Sequence, residues 1–202
     1  MKDFSKVAAN LKNNGFEVSQ FDTAKQAADY IDSNTDKKTV GFGGSVTLNT
    51  LGLYELLSKH NDVYWHWRKH GELSNSEIIK NEQSADIYLS SVNGLSEDGE
   101  IVNIDGTCNR VSAIAYGHEK VYLVIGENKL ANNLQAAIER ARNVAAPLNS
   151  KRLGCKTPCA VKCDKCYNCS SSDRICKELT ILWKKPTAQA IEVILIHENL
   201  GY

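Results

Sequence analysis

The chain has 202 residues, enough to bury a sizeable core in one domain of common size. Its 24 basic and 24 acidic residues cancel, which argues against a general nucleic-acid binder, because such proteins carry a basic excess. The polar opening MKDFSKVAANLKNNGF lacks the apolar core of a signal peptide, and no run of about 18 apolar residues could span a membrane, so a soluble cytoplasmic protein is expected.

In chain order, helical and extended patterns alternate. Phe4, Val7, Ala8 and Leu11 recur at helical spacing, and Asn13, Asn14 and Gly15 supply a stop. Residues 16–21 read as a short strand. Asp22 and Thr23 suit the start of a second helix to about Ser33, with Ala24, Ala27, Ala28 and Ile31 on one face. KKTVGFGGSVTL reads as a strand, a glycine turn and a helix start, the helix continuing through TLGLYELLSK. DVYWHW is strand-like, SNSEIIKNEQS helical, ADIYLSSVNGL a strand, and GEIVNIDGT another that ends in a turn. NRVSAIAYG predicts a short helix, EKVYLVIGE an apolar strand, and NNLQAAIERARNVAAPLNS a longer helix ending near Pro147. LTILWKK and AIEVILIHE are final strands divided by Pro186 with no helix between them, which predicts a hairpin or an edge extension. Repeated strand–helix units with apolar strands favour an α/β fold of three layers around a mostly parallel sheet. One domain over residues 1–202 is expected, with a cysteine-rich segment at 154–176.

VGFGGSVTL sets Gly41, Gly43 and Gly44 between an apolar strand and a helix that begins near Ser45. Glycine lets a ligand approach the backbone, and the free N–H groups and dipole of a helix start suit a phosphate or carboxylate. The stretch is not a P-loop, since no Gly-Lys-Ser/Thr follows, and Val46 stands where a third fingerprint glycine would be. A tight turn capped by Ser45 is the plainer alternative. NIDGTCNR groups Asp105, Asn109 and Arg110 around a glycine turn. Asp105 could orient a hydroxyl or act as a base, and Arg110 could grip a carboxylate in bidentate fashion. Against this, Asp-Gly is common turn chemistry and Asn109 suits a helix cap. His118, beside Glu119, has the chemistry for acid–base work, although a single histidine there is more often structural. YWHWRKH interleaves aromatics with bases, and without a charge excess core and edge packing is the favoured reading.

Six of the seven cysteines lie in GCKTPCAVKCDKCYNCSSSDRIC: Cys155, Cys159, Cys163, Cys166, Cys169 and Cys176. Cytoplasmic thiols stay reduced and an odd count fits a disulfide framework poorly. Cys163, Cys166 and Cys169 make two overlapping C-x-x-C units, and Cys159 and Cys176 on either side could complete four ligands. Four thiolates suit zinc or a four-iron cluster, and reversible disulfide chemistry is the alternative.

Through GFGGSVTL, SEDGEIVNIDGTCNRVSAIAYGHEKVYLVIGENK, ARNVAAPLNSKRLG, KTPCAV, KCYNCSSSDRIC and the ending ILWKKP…IEVILIHENLGY, the chain resembles the lactate-utilisation (LUD) domain family. The resemblance implies a fold like that of the glucosamine-phosphate isomerase, ribose-phosphate isomerase and CoA-transferase group. It implies an accessory or subunit role in an electron-transfer system that oxidises lactate to pyruvate, beside iron–sulfur partner proteins. It also implies that Gly43, Gly44 and Ser45 contact a small carboxylate or phosphorylated ligand, with Asp105, Asn109 and Arg110 nearby. The implied ligand set narrows to Cys159, Cys166, Cys169 and Cys176, holding a 4Fe–4S cluster or zinc, and Cys155 and Cys163 are additions. Cys108 departs from the family pattern, which usually has glycine there, and no CoA-transferase-type catalytic carboxylate can be placed. Two other readings stand: an isomerase- or transferase-like enzyme acting alone on a phosphorylated or CoA-linked substrate, with Asp105 or His118 as base, and a thiol redox-responsive binding module. No nucleic-acid partner is expected, and a homo-oligomer is left open.

Overall fold

The computed structural model describes residues 2–202. Helix α1 (Ser5–Asn13) ends at Asn14 and Gly15, whose φ of 88° reverses the chain into β1 (Glu17–Phe21). Helix α2 (Ala24–Ser33) begins with a capping box, Thr23 accepting from the Gln26 N–H while the Gln26 side chain reaches back to Thr23. Strand β2 (Thr39–Phe42) feeds the glycine turn and α3 (Val46–Thr50). The helix expected through TLGLYELLSK is divided: Gly52 adopts φ 64°, and α4 (Leu53–Leu57) starts afresh after it. Strand β3 is short (Asp62–Tyr64), and the aromatic run continues as a turn.

A second capping box, Ser74 with Glu77, opens α5 (Asn75–Ser84). Strands β4 (Ile87–Ser90), β5 (Gly94–Ser96) and β6 (Ile101–Asp105) follow, then α6 (Asn109–Ala115) and β7 (Lys120–Gly126). Beyond the short β8 (Leu130–Ala131), one helical run comprises α7 (Leu134–Arg140), a π turn (Ala141–Ala145) and α8 (Ala146–Arg152). The expected end near Pro147 is therefore corrected. A proline lacks an N–H and its ring crowds the carbonyl four residues back; the wider π turn makes room for it. After α9 (Pro158–Lys162) come an irregular stretch, β9 (Glu178–Leu182) and β10 (Ala190–Ile196).

The main sheet is wholly parallel in the order β1-β10-β7-β4-β2-β3. A smaller mixed sheet runs β8-β5-β6-β9. The last two strands thus form no hairpin: β9 pairs antiparallel with β6, whereas β10 lies between β1 and β7. Residues 191–196, IEVILI, are buried throughout, as a central strand covered on both faces requires, while the half-exposed β9 suits an edge. Alternation along β7 builds the layers. Val121, Leu123 and Ile125 pack with Val7 and Leu11 of α1 and with Leu95 and Ile101 of the small sheet. Tyr122 and Val124 face Ile31, Leu48, Leu53 and Leu57 on the opposite side. Each such fully buried aliphatic side chain contributes roughly 1.5–3 kcal/mol. The observed architecture is the expected three-layer α/β fold.

Candidate functional site

Parallel strands leave a crevice beyond their C-terminal ends, where the connections diverge. Here β2 runs into Gly44 and Ser45, β4 into Ser91 and Asn93, and β7 into Lys129; these residues line a cavity of about 540 Å³. Its remaining wall includes His66, Trp67, Asp105, Asn109, Arg110, Arg152 and residues 172–175. Of the residues singled out from the sequence, Gly44, Ser45, Asp105, Asn109 and Arg110 therefore meet around one space. Gly43 lies beneath the turn. Its N–H donates to the Leu89 carbonyl at 2.9 Å, and a Cβ there would come 3.0 Å from Tyr88 Oη and 3.1 Å from Arg110 Cγ. Ser45 caps α3, its Oγ accepting from the Leu48 N–H at 3.3 Å.

Asp105 is a backbone clamp. Oδ1 accepts from the N–H groups of Gly106 at 2.7 Å and Cys108 at 3.2 Å, and Oδ2 from Val111 at 3.3 Å. It replaces Asn109 as the cap of α6, where Cys108 sits at φ 67°. The Asn109 carbonyl accepts from Gln83 Nε2 at 2.8 Å. Arg110 does not offer the expected bidentate grip. Nη1 donates to Ser91 O at 3.1 Å and Asn103 Oδ1 at 2.6 Å, Nη2 to Asn93 Oδ1 at 3.1 Å and Ile104 O at 2.8 Å, and Nε lies 3.7 Å from Asp105 Oδ2. A guanidinium has five N–H groups, and each here has a protein acceptor facing it, so Arg110 lends the cavity charge rather than hydrogen bonds. His118 is outside the cavity wall: it is buried, stacks on Tyr88 with ring centroids 4.8 Å apart, and its Nδ1 lies 2.7 Å from the Ala85 carbonyl. Burial holds its pKa below the ordinary histidine value, as for a neutral core ring.

Three residues of the site were not singled out by sequence reasoning. Lys129 is 3 % exposed, and its Nζ donates to Thr47 Oγ1 at 2.9 Å and Ser91 Oγ at 2.8 Å. Among the described residues no carboxylate pairs with it, and burial, with Arg140 and Arg110 nearby, pushes its pKa well below the lysine range. A lysine just past the buried run Val121–Gly126 was the available signal. His66 lines the cavity with its Nδ1 2.8 Å from Oε1 of the wholly buried Glu82. Desolvation raises the Glu82 pKa, opposed by its hydrogen bonds to His66.

A model of the LUD domain matches residues 4–196. The chain belongs to the LUD domain family. It is thereby a lactate-utilisation-type protein. Among solved structures, the LUD fold is shared with a DUF162 family protein from Deinococcus radiodurans, 14 % identical at a TM-score of 0.50, with 97 % of this chain and 99 % of that one covered. Ribose 5-phosphate isomerase from Plasmodium falciparum aligns over 54 % of this chain and 52 % of its own, at 16 % identity and a TM-score of 0.35. A search of curated protein sequences returns no match.

In this LUD protein the cysteine segment straps one side of the cavity. Arg174 holds it in shape, Nη1 donating to the Cys169 carbonyl and Nε to the Cys176 carbonyl, both at 2.8 Å. Cys159 is buried in α9 with Sγ 3.3 Å from Thr157 Oγ1, whereas Cys166 Sγ accepts from the Asn168 N–H at 3.3 Å. Among the described residues no three His, Cys, Asp or Glu side chains are gathered so as to hold a metal ion. No described helix is long and apolar enough to cross a membrane.

Proposed function

We propose that this LUD protein binds a small carboxylate, lactate or pyruvate, in the cavity above Gly44 and Lys129, as an accessory or subunit of a system that oxidises lactate to pyruvate. Lys129 is the observation that carries the reading. A buried amine whose partners are two hydroxyls is held toward its neutral form, and an incoming carboxylate supplies the counter-charge that lets it carry a proton. Arg110, Arg152, Arg174 and Lys177 join it in the wall against Asp105 and Asp173 alone, so the field favours anions.

Calorimetric titration with lactate and pyruvate tests it. Both acids bind the intact chain, and Lys129→Met weakens them at least ~10-fold. Binding of neither acid overturns the reading. The cavity, about 540 Å³, also falls within the roughly 300–1,000 Å³ typical of larger ligands, which favours a phosphorylated sugar as the second reading. Ribose 5-phosphate binding more tightly than both acids and inorganic phosphate selects that reading. The accessory role predicts lactate-dependent dye reduction only when partner proteins are added; turnover by the chain alone replaces it with an enzyme acting by itself.

A further inference from the structure

We infer that His66, oriented by Glu82, lets the cavity discriminate a 2-hydroxy acid from the matching 2-oxo acid according to the protonation of its ring. The inference rests on the carboxylate reading above and assigns a role within that site.

Glu82, on α5, is 0 % exposed. Its Oε1 accepts the His66 backbone N–H at 2.5 Å, and its two oxygens lie 2.8 and 3.1 Å from His66 Nδ1. A backbone N–H can only donate, so Oε1 is an acceptor, and Oε1 is also the oxygen nearer Nδ1; the Nδ1 proton is directed at it. That leaves Nε2 to the cavity: bare in the neutral ring, an N–H donor in the protonated one. Among the described residues Nε2 has no protein partner, and it lies 3.2 Å from the point a Cβ on Gly44 would occupy. Trp67 Nε1, which can only donate, lies 3.3 Å from the same point. With no side chain on Gly44, a ligand lying over the glycine turn can meet two ring nitrogens of different character.

A carboxylate oxygen suits Trp67 in either state. The neighbouring oxygen of the ligand meets His66. A hydroxyl both donates and accepts, so it satisfies Nε2 whether bare or protonated. A keto oxygen only accepts, so it needs the protonated ring. Deprotonation of His66 therefore weakens pyruvate and spares lactate. The other charged or titratable groups around this corner are Tyr88 on β4, whose buried hydroxyl has no partner, Asp105 and Arg110 beside it, and Lys129 and Arg152 in the cavity wall. They act on the carboxylate, which the two acids share, and so cancel in the ratio of their affinities.

The experiment measures Kd for lactate and pyruvate on the intact chain between about pH 5 and about pH 9. The pyruvate-to-lactate Kd ratio rises roughly tenfold across that range in the native protein and is flat in His66→Gln. Glu82→Gln, whose amide can donate to Nδ1 and place the proton on Nε2, removes the rise as well. A flat ratio with both acids bound, or a rise that persists in His66→Gln, overturns the inference and leaves the carboxylate reading standing. Binding of neither acid overturns both. Nitrogen-15 NMR of the native protein tests the tautomer without a variant: at high pH the His66 proton sits on Nδ1, and a proton on Nε2 overturns the inference.

Discussion

Arg110 donates through Nη1 to Asn103 Oδ1 at 2.6 Å, and Asn103 is 1 % exposed on β6. The same guanidinium serves Asn93, Ser91 and Ile104, so it ties β4, β6 and α6 into one rim. Its removal strands acceptors on β6 and on the segment that follows β4. Arg110→Met is expected to cost about 3–5 kcal/mol in urea denaturation. Arg110→Lys recovers only part of this, because an ammonium cannot span the fork.

Gly41 and Gly44 sit three residues apart and predict opposite outcomes. A Cβ on Gly41 overlaps the backbone carbonyl of Glu82, and backbone cannot step aside, so Gly41→Ala unfolds the α5 contact or the chain. A Cβ on Gly44 meets ring nitrogens at 3.2 and 3.3 Å, which small rotations relieve. Gly44→Ala should keep a melting temperature near that of the native protein yet lose lactate and pyruvate binding. Paired thermal melts and calorimetry check both.

Lys129 gives stability a pH slope of known sign. Its pKa is lower in the folded state than the ordinary 10.5, so between the two values the unfolded chain binds more protons. Stability then rises with pH through that window and levels off above 10.5. Lys129→Met lacks this contribution. The stability difference, native minus variant, should therefore increase from neutral pH toward pH 10.5, measured by urea titration at each pH.

Much of the fold was legible because it is written locally. The 3.6-residue spacing of Val7 and Leu11, the Thr23 and Ser74 caps, and the apolar runs of β7 and β10 each announce their element. The placing of β9 and β10 in different sheets was not, since two neighbouring strand patterns do not say which distant edge each will join. The site divides the same way. The glycine turn and NIDGTCNR reach the cavity because they end strands of the sheets. Arg110 looks free in sequence, but backbone carbonyls such as Ser91 and Ile104 take its donors, and carbonyls carry no sequence signature. His66 and Glu82 are sixteen residues apart, and their pairing exists only once α5 packs against β2 and β3.

Thiol labelling probes the cysteine strap without assuming what it holds. Cys159 is 8 % exposed, packed in α9 with Thr157 beside its sulfur. Cys163, Cys166, Cys169 and Cys176 are all more open and, apart from Cys163 at the end of α9, lie in chain without regular structure. An alkylating reagent must wait for α9 to open before it reaches Cys159, whereas the others need only local motion. Cys108 is slowed for a different reason: Glu178 beside it, with burial second, pushes its pKa up to about 11, and the thiolate is the reacting form. At neutral pH, mass spectrometry should therefore find Cys159 and Cys108 lagging Cys163, Cys166, Cys169 and Cys176 by roughly tenfold. Raising the pH toward 9 should accelerate Cys108 and leave Cys159 limited by opening of its helix. Equal rates for Cys159 and Cys166 would mean that α9 does not stay packed in solution.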